Sequence, residues 1–259
     1  MTEFVQLPMV EENRFQTSRK DAWWIMPLIQ GGYLVLFGIY AMWAVAIDFR
    51  NYDFFIEESD THFISPFFNP DIKIPGWPEW LSPGLILIWA PLGFRATCYY
   101  ARKVYYRAFF WDPPACAISE AKANHGEYKG ESKLPYIVNN LHRYFFGVAF
   151  ILAFFHLYEV FRLLFTGGFN TLAGGIGTII IAIDATFLSL YVLSCHSCKH
   201  VVGGSVNRPM RSMINYIRYR GWKIVKRLNI NHNVYFWASL TSILISDLYI
   251  RFVLPLVFG

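Results

Sequence analysis

Seven residues have the types and spacing to do chemistry together: Cys98, Cys116, Cys195 and Cys198, with His142, His196 and His200. Thiolate and imidazole are the ligands of zinc, iron–sulfur clusters and haem iron. Cys195 and Cys198 are three apart and His196 and His200 four apart, so on a helix each pair shares a face. Three centres compete on residue type alone. Haem b takes two histidines and leaves the cysteines without a role. Zinc takes four ligands and closes the site, but carries no electrons. A two-iron cluster with two cysteines and two histidines, Rieske-like, uses both residue types and has a raised potential. A lone membrane cysteine is ordinarily just a small apolar side chain, so a metal site needs several of these residues to converge, and spacing does not choose among the centres.

Convergence depends on the elements that carry these residues. Hydrophobic residues make up 55% of the chain and charged ones only 16%, against about 25% charged in soluble domains. Five stretches are apolar over the roughly 20 residues a membrane crossing takes: about 23–47, 81–100, 141–165, 173–198 and 234–258. The expected fold is all-α, an integral membrane bundle of five transmembrane helices forming one domain over 1–259. Residues 1–22 hold Glu3, Glu11, Glu12, Arg14, Arg19 and Lys20 with no long apolar run, so no cleavable signal is expected. Seventeen Lys and Arg lie in the N-terminal segment and the 99–140 and 199–233 loops, against only Arg50 and Lys73 in the other two loops. The positive-inside rule then places the N-terminus in the cytoplasm and the C-terminus outside. All seven Cys and His candidates fall at the cytoplasmic helix ends, at one depth.

Other polar residues sit deeper. His156 lies fourteen residues after His142 on the same expected helix, about 21 Å further along its axis. It reads as an interhelical hydrogen-bonding group or as part of a polar path with Glu159. Asp184 falls mid-helix, where a carboxylate faces an interior partner or a functional pathway. Asp247 and Arg251, four apart, are expected to pair. The acidic 49–80 loop reads as a structured cap, with Trp77 and Trp80 at the outer interface. Residues 208–227 mix cations with apolar residues, as in a helix lying along the membrane or a docking surface for a soluble partner. No nucleic-acid module and no internal repeat is evident.

The strings GFRATCYYARKVYYRAFFWDPPACA (93–117), NLHRYFF (140–146) and LSCHSCKHVVGG (193–204) resemble the membrane anchor subunit of actinobacterial-type succinate dehydrogenase. The resemblance covers most of the chain from about residue 50 onward. It implies a five-helix anchor in the bacterial cell membrane with a membrane-embedded Rieske-type [2Fe–2S] cluster in place of haem. Flavoprotein and iron–sulfur subunits would dock on the cytoplasmic face, with a further small single-helix membrane subunit and a quinone acceptor, menaquinone. The expected ligands are Cys98, Cys116, His196 and His200, with Cys195, Cys198 and His142 as alternates. Arg95, Tyr99, Tyr100 and Arg143 are the expected quinone contacts. A haem b subunit of another respiratory complex and a zinc-stabilised scaffold are the competing readings.

Overall fold

The computed structural model describes residues 19–109, 111, 136–204 and 206–258. Cys116 lies outside them, as do Arg14, Lys122, Lys129 and Lys133 of the basic tally. Among the described residues four helical runs are long and apolar enough to cross a membrane: α1 (Ile25–Ala46), a run over Ile137–Phe165 whose α-helical part is α4 (His142–Phe165), α5 (Leu172–Leu193) and His232–Phe258. The last comprises α8 (His232–Leu248), a π turn (Tyr249–Val253) and α9 (Leu254–Phe258). Pro255 has no N–H to offer the Arg251 carbonyl one turn back, and the helix widens just before it.

The expected second span needs correction. Instead of 81–100, α2 (Gly84–Ala96) has 13 residues, about 20 Å of helix against a hydrocarbon core of about 30 Å. The chain breaks at Thr97–Cys98 and restarts as α3 (Tyr99–Ala108). The fourth span likewise stops at Leu193, not 198, breaks at Ser194–Cys195 and restarts as α6 (His196–Gly203). Both cysteines are extended, with φ/ψ of −64°/138° at Cys98 and −62°/145° at Cys195. A hydroxyl precedes each break: Thr97 Oγ1 donates to the Gly93 carbonyl at 2.6 Å, and Ser194 Oγ to the Tyr191 carbonyl at 3.1 Å. Such back-bonding competes with helix continuation.

Successive long segments alternate in direction, giving the bundle two distinct ends. The 49–80 segment forms one end with a hairpin of β1 (Asp53–Ile56) and β2 (Thr61–Ile64), antiparallel with Asp53 opposite Ile64. It is tied to the bundle where Thr61 Oγ1 donates to the Thr166 carbonyl at 2.9 Å and Arg162 donates to the His62 carbonyl. Phe63, fully buried, packs with Ile56, Leu163 and Ile181 in a core at this end. The second core, around Phe94, Phe146, Tyr191 and Phe236, holds Cys98, Cys195 and Cys198 at the other end. There α7 (Met213–Asn229) packs along α6, with Arg218 donating to the Val202 and Gly204 carbonyls at 3.0 and 2.6 Å. Asp247 and Arg251 pair as expected, at 2.9 Å, and Arg251 also reaches Asp48. Leu36, Phe154 and Phe165 stay exposed, an outer wall suited to lipid.

Candidate metal centre

The two helix breaks and two helix starts build the centre. His142 is the first residue of α4 and His232 the first of α8. His142 Nδ1 lies 2.9 Å from Thr97 Oγ1, and its Nε2 lies 3.2 Å from Cys195 Sγ. His232 Nδ1 lies 2.7 Å from Ser194 Oγ, and its Nε2 3.7 Å from Cys98 Sγ. Each histidine is thus held by the residue before one cysteine and faces the other cysteine. Each clamping hydroxyl directs its single hydrogen at a helix carbonyl, so it accepts from Nδ1–H. Both imidazoles are then Nδ1–H tautomers, with the Nε2 lone pair aimed at sulfur. A metal-bound histidine is held the same way, its other ring nitrogen donating to a fixed acceptor.

The arrangement repeats further out. Phe94 stacks on His142 with centroids 4.6 Å apart and planes at 12°, and Tyr191 stacks on His232 at 5.0 Å and 15°. Phe94 and Tyr191 each stand four residues before their cysteine, so the motif aromatic-x-x-(Ser/Thr)-Cys occurs twice, at 94–98 and 191–195. A short internal repeat exists after all. Asn229 Nδ2 donates to the Ser194 carbonyl at 2.7 Å, fixing the break beside α8.

Cys98, Cys195 and His232 are at most 5% exposed, and His142 is half-buried. Both sulfurs sit at the starts of helices α3 and α6, where the first N–H groups lack intrahelical partners. Ser197 N–H lies 3.4 Å from Cys195 Sγ, and the Tyr100 and Ala101 N–H groups face Cys98. Tyr191 carries its buried hydroxyl toward Cys98, with no oxygen or nitrogen partner.

Among the described residues no three His, Cys, Asp or Glu side chains meet at one point, as ligands of a single ion would. Two crossed Cys–His contacts stand side by side instead. The two thiols and the two imidazoles are also near enough to feel each other's charge. Two soft sulfurs and two lone-pair nitrogens in a dry, hydrogen-bonded pocket fit a two-metal cluster.

Three other expected ligands among the described residues, His196, His200 and Cys198, stand apart from these contacts. His196 and His200 pair with each other, Nε2 to Nε2 at 3.0 Å, on the exposed face of α6. Cys198 is buried on the inner face of α6. His232 was absent from the expected set, although the doubled motif marks its clamp.

Beside the centre, a cavity of about 100 Å³ lies between α1, α2, α4, α5 and α8. Its walls are apolar apart from Arg95, Asn69, His156 and Tyr191. Arg95 sits over the Tyr191 ring at 4.9 Å and donates to the Phe236 carbonyl and Ser239 Oγ. Two of its five N–H groups are thereby used. Tyr99 is largely exposed, Tyr100 packs against His232, and Arg143 lies over Tyr144 at 4.8 Å. Of the four expected quinone contacts, Arg95 alone lines the cavity.

The family model described as actinobacterial succinate dehydrogenase subunit SdhC matches residues 25–255. A chain of the solved structure "Mycobacterium smegmatis Sdh1 complex in the apo form" is 32% identical, with 97% of this chain and 93% of that chain covered and a TM-score of 0.74. No curated protein matches. Because the family match runs from the first residue of α1 into the last helix, the chain belongs to the actinobacterial SdhC family, the membrane subunits of the oxidoreductase succinate dehydrogenase.

Proposed function

We propose that this subunit passes electrons from the soluble relay of succinate dehydrogenase to a quinone, and that Cys98, Cys195, His142 and His232 hold a [2Fe–2S] cluster on that route. The crossed clamp carries the reading: two Nε2 lone pairs face two buried thiols, and every Nδ1–H is anchored. Such a cluster supplies one-electron transfer at a potential raised by its histidine ligands. The chain's own residues do the rest. Thr97 and Ser194 fix the tautomers, Phe94 and Tyr191 stack on the rings, and helix N–H groups donate to the sulfurs. The neighbouring cavity takes a quinone ring, with the free N–H groups of Arg95 placed for a carbonyl oxygen.

The five segments, with α2 completed by the turns around it, are read as five crossings of a bacterial cytoplasmic membrane. Described basic residues gather at the Cys/His end, on α3 and α7, while the hairpin end is acidic. That asymmetry supports a cytoplasmic position for the centre. The flavoprotein and iron–sulfur subunits dock there, against the exposed cations Arg211, Arg220, Lys223 and Arg227.

Electron paramagnetic resonance of the reduced, purified complex tests the ligand set. Cys98→Ser, Cys195→Ser, His142→Ala and His232→Ala should each abolish a Rieske-type signal that His196→Ala and His200→Ala retain. Quinone reduction should fail with the signal, while succinate oxidation by a soluble artificial acceptor survives. A parent complex without that signal would end the cluster reading. Loss confined to the His196 and His200 variants would move the ligands to the surface pair.

A further inference from the structure

Three serines of α8 (Ser239, Ser242 and Ser246) are buried at spacings of three and four residues, so they line one face. The stripe begins at the cavity, where Arg95 Nη2 donates to Ser239 Oγ at 3.1 Å. Ser242 Oγ donates to Asp184 Oδ1 at 2.9 Å, and Asp184 Oδ2 lies 3.3 Å from Nδ1 of the cavity-lining His156. One turn on, Ser246 Oγ is wholly buried with no hydrogen-bond partner. Next to it in sequence, Asp247 accepts from Tyr40, Ser65 and Arg251. Arg251 then donates to Asp48 Oδ2 at 2.9 Å, and the Asp48 side chain is 22% exposed at the hairpin end.

Two carboxylates (Asp184 and Asp247) and one histidine (His156) are buried within the bundle here. Intramembrane carboxylates are costly and commonly mark proton or ion routes. Ser242 to Ser246 is about 6 Å along the axis, a gap that one water bridges between polar partners. The other charged groups near His156 on α4 are Glu159, about one turn further along, and Arg162, nearly two turns along, paired with each other at 3.0 Å. Arg95 approaches Asp184 from α2.

We propose that this α8 stripe is a proton path, delivering protons from the hairpin end, past the fixed Arg251 cation that ties Asp48 to Asp247, to the Asp184–His156 pair at the cavity. The idea rests on the quinone reading of that cavity. Quinone takes two electrons, which the complex draws from succinate, and two protons, which form its two O–H bonds. His156 gives each proton to the quinone oxygen, Asp184 holds the charged ring and passes on the next proton, and the stripe refills the pair. Protons are then consumed on the side opposite the Cys/His centre.

The test uses the whole complex in liposomes that enclose a pH dye, with valinomycin and potassium to balance charge. Succinate added outside, which does not cross the bilayer, drives only complexes whose soluble subunits face outward. The lumen should turn alkaline by up to two protons per quinol formed. Ser246→Val should slow quinone reduction about ten-fold or more and Asp184→Asn about a hundred-fold, with the cluster's resonance signal unchanged. Ser246→Thr restores a hydroxyl and should restore the rate. Glu159→Gln should leave rate and sidedness alone. Quinol formation with no lumen change overturns the path while sparing the quinone reading, as does a Ser246→Val complex that only melts earlier. An effect of Glu159→Gln without one of Ser246→Val also overturns it. A parent complex that reduces its cluster but no quinone removes the quinone reading itself.

Discussion

Ser194→Ala removes one oxygen and tests the clamp more sharply than deleting a ligand. Ser194 is wholly buried, and its Oγ is the acceptor 2.7 Å from His232 Nδ1. Without it, that N–H is left buried and unpaired at a cost of about 1–3 kcal/mol. The ring can escape by moving its proton to Nε2, but then it points an N–H, not a lone pair, at Cys98. Either route weakens metal binding, and losses of this kind run about 10- to 100-fold, or about 1.4–2.8 kcal/mol. Iron and acid-labile sulfide per purified complex, followed during titration with a chelator, measure the loss directly. Ser189→Ala is the control, because its buried hydroxyl on the same helix has no partner to lose. Ser194→Thr, which keeps a hydroxyl, should recover much of the affinity. Full cluster retention in Ser194→Ala, with the parent's chelator resistance and the parent's potential, would refute the clamp.

Gly93→Ala would bring a Cβ to 2.5 Å from the Phe145 ring, so α2 should separate from α4 at a cost of about 1–3 kcal/mol, read as earlier thermal loss of the detergent-solubilised complex. Replacing Arg251 by Leu strands Asp247 between Tyr40 and Ser65 and should destabilise the subunit by about 3–5 kcal/mol, read in the same melt; an unchanged melt would show that Asp247 is neutral or hydrated. Labelling of single cysteines placed at Glu58 and Lys223 should find them on opposite sides of the membrane, and labelling from one side would overturn the crossing pattern. Reversing Arg211, Arg220, Lys223 and Arg227 together should release the soluble subunits at moderate salt, because exposed charges act mainly on association and its salt dependence. Arg218 is excluded from that set because its guanidinium holds α7 to the end of α6.

Hydropathy located the long helices well, since a membrane crossing is a property of composition over about 20 residues. It failed where the backbone does something local. Apolar residues run on past Thr97 and Ser194, so the breaks are invisible to a hydropathy window. They come from hydroxyls that turn back on their own helices. The shared-face argument for Cys195 and Cys198 failed with them, because Cys195 precedes α6 and does not lie on it. For His196 and His200 the same argument held, yet it described a surface pair. His232 was overlooked because it stood two residues before the expected start of the last span, among basic loop residues. Its signature was a pattern of identities: Asn-x-x-His-x-x-x-Phe at 139–146 and again at 229–236, each following an aromatic-x-x-(Ser/Thr)-Cys. The pairing of Asp247 with Arg251 was readable from four-residue spacing alone, whereas their ties to Asp48, Tyr40 and Ser65 join segments about 200 positions apart in the chain.

The crossed contacts also bear on how the subunit is made. Cys98 meets His232 across 134 positions and His142 meets Cys195 across 53, so the shorter loop is nested inside the longer one. During synthesis the first four segments can enter the bilayer with only three of the four ligands available. Until α8 follows, Cys98 has no imidazole opposite it, and a metal arriving early finds an incomplete set. On the proposed ligand set, a cluster would meet all four ligands only after the last helix is inserted, and its loading would then mark a finished subunit. Once filled, it would fasten both loops at a single point. Closing loops this long removes freedom from any partly unfolded chain, and metal binding becomes folding energy.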